Sequence, residues 1–223
     1  MTSQTLTLFA DYEPLAGVTN PTPQQTYRNP RLLLQESRPV ELKSDYIEVK
    51  MLYAGLCGTD LHLAKAHPET GYISTSAPVM IPSQGRIIGH EGVGKVVKTG
   101  SQVQHLKPGN LVTFESIMVC RFCDACRKGY FNQCRHARLI GLEEDGLFAN
   151  KAHLPASLAH NITDMAEDDH GLQAAACFEP AGVAYVACEA VRPGGAERVV
   201  IFGAGPIGLF SAMLWRRVFG ARM

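Results

Sequence analysis

Four cysteines, Cys120, Cys123, Cys126 and Cys134, stand within fifteen residues in the spacing C-x2-C-x2-C-x7-C. Thiolates this close together suit a closed tetrahedral zinc site, in which sulfur fills every coordination position and none is left for a substrate. Such a site holds a loop in shape and performs no reaction. An iron–sulfur cluster is an alternative, because C-x2-C-x2-C also opens the bacterial ferredoxin run. That run continues x3-C-P, whereas here the last gap is seven residues and Arg135 follows. Uncoordinated thiols are a third possibility. Two disulfides are disfavoured: the total of seven cysteines is odd, and Met1-Thr2-Ser3-Gln4 opens no basic-then-apolar secretory leader.

A second set of chemically capable residues is dispersed. Cys57 lies in Cys57-Gly58-Thr59-Asp60-Leu61-His62, His90 in Gly89-His90-Glu91, and Glu179 immediately before Pro180. One thiolate, one imidazole and one carboxylate give zinc three protein ligands and leave a fourth position open, as a catalytic site requires. Taken singly each has a plainer reading, since a lone cysteine is usually a small core residue and a lone histidine a hydrogen-bonding group. A third pattern, Gly203-Ala204-Gly205-Pro206-Ile207-Gly208, fits G-x-G-x-x-G. There a glycine turn lets amides at a helix N-terminus approach a pyrophosphate, provided a strand precedes and a helix follows. A glycine-rich packing turn is the plainer alternative. The acid expected about 20 residues downstream, which reads the cofactor ribose, has no counterpart before Met223.

The elements that would position these groups change character along the chain. With 223 residues, 46% apolar, the chain can bury a sizeable core. Its 21 basic and 21 acidic residues cancel, and no basic block steers it to nucleic acid or an anionic membrane, so small-molecule chemistry in the cytoplasm is expected. Ile47–Met51, Val93–Val97 and Leu111–Phe114 are β-prone, separated by turns such as Lys107-Pro108-Gly109-Asn110. Thr19 to Pro30 is turn-rich and predicts an irregular surface loop. From about His170 the pattern becomes helical, over Ala174–Cys177 and Val183–Val191, with Pro180 at an early helical position where its missing amide is harmless. The uncharged stretch Val199–Trp215 is nearly long enough to span a membrane. Its glycines and Pro206 divide it instead into a strand over Arg198–Phe202, a turn, and a helix ending at Arg216 and Arg217.

The run Gly89-His90-Glu91-x2-Gly94-x5-Gly100-x2-Val103 resembles the signature of the zinc-containing alcohol dehydrogenases of the medium-chain dehydrogenase/reductase superfamily. The cysteine quartet resembles that family's structural zinc lobe, and Val200–Gly208 its cofactor fingerprint, in the same order along the chain. The resemblance extends from about Leu42 to the C-terminus. It implies an α/β protein: a GroES-like β-barrel catalytic domain over residues 1–169, with a zinc lobe at about 115–136, then linking helices and the beginning of a Rossmann doubly wound domain over 170–223. Cys57 and His90 match the catalytic-zinc ligands, and Glu91 an acidic neighbour that can exchange with water. Glu179-Pro180 resembles the polyol, threonine and glucose dehydrogenase branches, with Cys177 as a rival ligand. Thr59 matches the hydroxyl that accepts the substrate proton, and His62 the imidazole that relays it to solvent. The implied activity is oxidation of a secondary alcohol, polyol or sugar hydroxyl by hydride transfer to NAD or NADP. It uses one catalytic and one structural zinc, with Gly203, Gly205, Pro206, Ile207 and Gly208 at the cofactor, in a possible homo-oligomer.

Departures from the pattern carry expectations of their own. Thirty-two residues separate Cys57 from His90, and their hydroxyl groups, among them Tyr72, Ser74, Thr75 and Ser76, suit a polar substrate lid, with a solvated surface loop as the equal alternative. Only the first strand and helix of a doubly wound domain can be assigned, which predicts a partial enzyme with an exposed sheet edge and an apolar helix face. A non-catalytic zinc-binding fragment or interaction module is the alternative reading. The sequon Asn161-Ile162-Thr163, without a secretory leader, reads as chance, and Glu143-Glu144-Asp145 as a solvated turn before Gly146. The remaining histidines have no partner at ligand spacing, His136 beside the quartet being the mild exception.

Overall fold

Alternation of side chains is written most clearly into Tyr46–Gly55, where Ile47 and Val49 are fully buried and Glu48 and Lys50 point the other way. In the computed structural model, which describes residues 3–166, 168–191 and 198–220, this strand is the axis of the first of two compact units, Met1–Ala176 and Cys177–Met223. The first unit contains β1 (Gln4–Tyr12), β2 (Tyr27–Glu36), β3 (Tyr46–Gly55), α1 (Gly58–Ala64), β4 (Arg86–Ile87) and β5 (Glu91–Thr99). It continues through β6 (Leu111–Phe114), β7 (Ile117–Met118), α2 (Asp124–Arg127), β8 (Arg138–Leu139), β9 (Lys151–Pro155), β10 (Ala159–Asn161) and α3 (Asp169–Ala175). Sheet orders are β10-β6-β5-β3-β9, β2-β1-β4 and β7-β8, and every pairing is antiparallel.

Ile47, Val49, Val96, Val112, Phe114 and Leu154 form the main core of the five-stranded sheet. Leu8, Tyr27, Leu63, Ile73, Ile88 and Leu142 form a second core that ties α1 and the segment after it to the three-stranded sheet. Fully burying an aliphatic side chain contributes roughly 1.5–3 kcal/mol, so these two clusters hold the ends of β3 and β5 in fixed relation. A third cluster, Val93, Ile162, Ala166, Ala175 and Ala176, seats α3 on β5. Asp168 caps α3 by accepting the Gly171 amide at 2.8 Å.

Three expectations are corrected. Asn29 and Pro30 lie inside β2, not in a loop. The strand is at a sheet edge, where a missing proline amide breaks no ladder, and a register shift opposite Phe9–Asp11 absorbs the turn residues. The hydroxyl-bearing part of the segment between Cys57 and His90 does not stand free as a polar lid, although residues 65–70 are exposed. Ile73, Val79 and Ile81 enter the second core, Thr75 is buried, and the Tyr72 hydroxyl donates to the Glu13 carbonyl at 3.0 Å. Finally, Arg198–Phe202 forms no strand. Arg198 makes one bridge, and Val200 and Phe202 are 74% and 96% exposed. A strand needs ladder partners for its amides and carbonyls, and the second unit has no other strand among its described residues.

That second unit is a pair of helices, α4 (Phe178–Val191) and α5 (Pro206–Arg217). Ala184 and Cys188 of α4 are fully buried, the Cys188 sulfur lying 3.9 Å from the Ser211 carbonyl of α5. Leu209 and Met213 of α5 are more than half exposed, which is the apolar helix face expected. No single helix among the described residues is long and apolar enough to cross a membrane.

Candidate functional site

The ends of β3 and β5 create the first site. Gly55, the last residue of β3, pairs with Glu91, the first of β5. A Cβ on Gly55 would meet the Glu91 carboxylate and lie 3.0 Å from the Glu91 Cβ. Two residues beyond Gly55, Cys57 caps α1, and its amide donates to the Asp60 carboxylate at 3.0 Å. His90 enters from the turn between β4 and β5. Gly89 adopts φ +90°, its carbonyl accepts the Leu147 amide at 2.9 Å, and the neighbouring backbone of Gly141 leaves no room for side chains, a Cβ there standing 2.5 Å from the Gly89 oxygen.

These elements bring the Cys57 sulfur, a His90 ring nitrogen and a Glu91 carboxylate oxygen within 4.8 Å of one another. His90 and Glu91 are buried and Cys57 is half-buried. Burial pushes the Cys57 thiol up, and the adjacent Glu91 adds to this, against hydrogen bonds from Thr59 that pull it down. The sulfur therefore reaches its thiolate form chiefly in company with a cation. Beneath the cluster lies Asp60, which the sequence reading passes over. Its Oδ1 sits 3.9 Å from His90 Nδ1, and both atoms are buried without a hydrogen-bond partner. Burial pushes the Asp60 carboxyl up, while His90 and the Cys57 and Gly89 amides pull it down. Two orphaned polar atoms facing each other are what remains when an imidazole is oriented for a ligand on its other nitrogen. The donor set and the orphaned pair thus fit zinc. A signal for Asp60 existed: an acid three residues after a cap position, reaching back to the cap amide.

Thr59 and His62 lie on α1, three residues apart and hence on neighbouring positions of one face. Thr59 bonds to the Cys57 sulfur, and His62 is exposed. Glu179 occupies the first turn of α4, in the second unit, and Cys177 is exposed at that unit's start.

The quartet forms a separate centre. Cys120, Cys123, Cys126 and Cys134 sulfurs lie within 4.8 Å of one another, Cys120 to Cys134 at 3.6 Å and Cys120 to Cys126 at 4.0 Å, and none is in a disulfide. Backbone amides point at the sulfurs: Cys123 N–H donates to Cys120 at 3.3 Å and Cys120 N–H to Cys134 at 3.4 Å. Amides of Cys126 and Arg135 pull the Cys123 thiol down to about 6, and the Cys120 amide lowers Cys134. Cys126, deepest among the others, is pushed up to about 12 by burial and its neighbours' sulfurs. Four negative sulfurs at this distance require a cation among them, and the amide donors fit a closed tetrahedral metal site.

At the glycine turn, Gly203 takes φ +108°, Gly205 caps α5 and Pro206 occupies its first turn. A Cβ on Gly208 would strike the Gly203 carbonyl, and the Leu209 amide closes onto Gly205 O at 3.0 Å. Turn and helix are therefore as expected, with the α5 amides available at the end where a phosphate would sit. The preceding strand is missing.

Residues 43–164 match the family model for the alcohol dehydrogenase GroES-like domain. The chain is 34% identical over 196 residues to an L-threonine 3-dehydrogenase of Anaeromyxobacter sp. (strain K), covering 87% of this chain and 53% of that protein. It is 33% identical over 205 residues to an L-arabinitol 4-dehydrogenase of Aspergillus oryzae, covering 88% and 50%. Among solved structures it is similar to a provisionally named zinc-binding dehydrogenase of Sinorhizobium meliloti 1021 bound to NADP, with TM-score 0.76 and 27% identity over 100% of this chain and 55% of that one. The chain spans about half the length of these relatives.

Proposed function

Because the chain belongs to the alcohol dehydrogenase GroES-like domain family, we propose that it is the catalytic part of a zinc-dependent oxidoreductase that oxidises a secondary alcohol, polyol or sugar hydroxyl with NAD or NADP. The observation that carries this reading is the convergence of Cys57 with His90 and Glu91, from two segments more than thirty residues apart, onto one point. Cys57, His90 and Glu91 or Glu179 hold the catalytic zinc, and Cys120, Cys123, Cys126 and Cys134 hold the structural one. Gly203, Gly205, Pro206, Ile207 and Gly208 receive the dinucleotide at the start of α5. The named relatives support a hydroxyl on an internal carbon, since their names place the reaction at positions 3 and 4.

Oxidation of a carbinol to a carbonyl releases one hydride and one proton. When bound, zinc supplies Lewis acidity at the substrate hydroxyl and the nicotinamide takes the hydride. The chain's own residues handle the proton and the geometry. Thr59, beside Cys57, accepts the hydroxyl proton, and His62, one turn along α1 and exposed, passes it to solvent. The Asp60 carboxylate faces the His90 ring at 3.9 Å, and the Gly55 backbone leaves the volume that the Glu91 carboxylate occupies.

Metal analysis combined with a reduced-nicotinamide assay on the whole enzyme against a panel of polyols, sugars and hydroxy-amino acids tests the reading. Two zincs per chain and reduction of NAD or NADP are expected. Folded protein holding metal in the quartet alone, with no turnover and no cofactor binding, would replace the enzyme with the zinc-binding module.

A further inference from the structure

The short helix α3 is held at both ends by hydroxyl groups that come from β3 and β6. At its start, the Tyr53 hydroxyl donates to the Asp169 carboxylate at 2.5 Å. Tyr53 lies two residues before Gly55, whose partner on β5 is Glu91. At its end, the buried Thr113 hydroxyl lies 3.1 Å from the Ala175 carbonyl and 3.1 Å from the Gly92 carbonyl. Thr113 stands on β6 opposite Val93, and Gly92 follows Glu91 directly. A hydroxyl has one proton to give, so a single donor serves both carbonyls. The first belongs to the helix end, where carbonyls have no partner within the helix. The second is one residue past a candidate metal ligand. Apolar packing alone does not account for this arrangement. Val93, Ile162, Ala175 and Ala176 pack together beneath α3, but apolar contact is non-directional and lets a helix slide along a strand. One directional bond at each end fixes its register.

Ala176, the last residue of the first unit, follows α3 immediately, and Glu179 stands three residues further along the chain. On the reading of the Cys57 centre as a catalytic zinc site, we propose that Thr113 is a positioning residue of that centre. Its hydroxyl ties the point where the chain leaves the first unit to the carbonyl beside Glu91, and so governs how Glu91 and Glu179, the two carboxylates available to the metal, are presented. Thr113 acts through the Gly92 and Ala175 carbonyls and not as a ligand. Tyr53 supports the same register from the other end of α3. Without the Thr113 hydroxyl, the buried helix end loses its donor, and α3 is left to the apolar contacts along β5.

Chelator competition and cobalt absorption test this in the whole enzyme, with cobalt in the Cys57 centre and zinc in the quartet. Cobalt bands report the geometry of the donors around the ion. Thr113→Val, which removes the hydroxyl and keeps the branched shape, should weaken metal binding at the Cys57 centre about tenfold and shift its cobalt bands, with the quartet's affinity unaltered. Thr113→Ser, which keeps the hydroxyl, should restore both. Tyr53→Phe, at a half-buried position outside the main core, should shift the same bands by a smaller amount. Unshifted bands in Thr113→Val or in Tyr53→Phe, or a Thr113→Ser enzyme as altered as Thr113→Val, would overturn the proposal. Equal weakening at both centres would do so too, because it marks a general loss of structure. A wild-type enzyme that takes no metal at Cys57, His90 and Glu91 would instead overturn the zinc oxidoreductase reading, and the role of Thr113 with it.

Discussion

The two sulfur-bearing centres of the first unit are built in opposite ways. The quartet is local: fifteen residues supply all four sulfurs and the amides that pull Cys123 down to about 6. The Cys57 centre is assembled across thirty-four positions of chain by β3, β5 and the Gly89 turn, and its thiol is pushed up by burial. In the first, the backbone of a short loop lowers two of the four thiols, Cys123 and Cys134, in advance. In the second, a β-sheet core fixes three different donors around a point. The difference teaches where damage should travel. Losing a quartet ligand should cost shape, and losing a Cys57-centre ligand should cost chemistry.

The sharpest division comes from Cys57→Ser in the whole enzyme. Its kcat/KM should fall by at least about 10³, some 4 kcal/mol of transition-state stabilisation, while the melting temperature and the quartet's metal are kept. Metal analysis beside the assay reads both, and loss of both zincs together would break the distinction. Next is Cys126→Ser, which removes the most buried sulfur of the quartet. Stability should drop by on the order of 3 kcal/mol, because metal binding energy is folding energy there. Denaturant unfolding should show it, with the Cys57 centre retaining metal at low denaturant. An unchanged unfolding midpoint would mean that the lobe does not depend on its ion.

The same contrast explains what could be read from sequence. Cys120 to Cys134 needed only spacing. Cys57, His90 and Glu91 carry no mutual signal, and resemblance alone singled them out, because their meeting depends on the pairing of Gly55 with Glu91 and on the φ of Gly89. The strands over Ile47–Met51, Val93–Val97 and Leu111–Phe114 were visible in alternation and β-branching, and the helix to Arg217 in its Gly205-Pro206 start. Pro30 reads as a turn residue because its sequence neighbourhood does not show that its strand is a sheet edge, where proline is tolerated. Arg198–Phe202 misled for the converse reason: β-propensity describes a segment, whereas a strand is a property of a pair. Tyr72 and Thr75 looked like substrate hydroxyls because their partners, Glu13 and the second core, are distant in sequence or hidden in it.

Asp60→Asn sharpens the comparison from within the Cys57 centre. An amide keeps the shape and can still accept the Cys57 N–H, but it withdraws the charge facing His90. Affinity for the catalytic metal should weaken about 10- to 100-fold, the usual effect of removing a ligand's orienting partner, with the quartet's affinity unaltered. Competition with a chelator measures the two sites separately. Equal weakening at both would show a general loss of structure instead.

The smallest effect concerns the frame that holds the Cys57 centre. Glu48 lies on β3 and is buried beside His153, whose ring is 3.1 Å away, and Lys151, at 3.2 Å. Burial pushes its carboxyl up, but the His153 and Lys151 hydrogen bonds outweigh that and leave it below the ordinary value of 4.5. A carboxyl lowered on folding stabilises the fold above its unfolded pKa, and that contribution disappears as pH falls through the lowered value. Glu48→Gln should therefore cost roughly 1 kcal/mol near neutrality and progressively less as pH drops below 4.5. Paired acid titrations of unfolding would show the two curves converging on the acid side. Divergence there would place Glu48 outside the ion pairs that brace β3, and would leave the position of Cys57 to the apolar core alone.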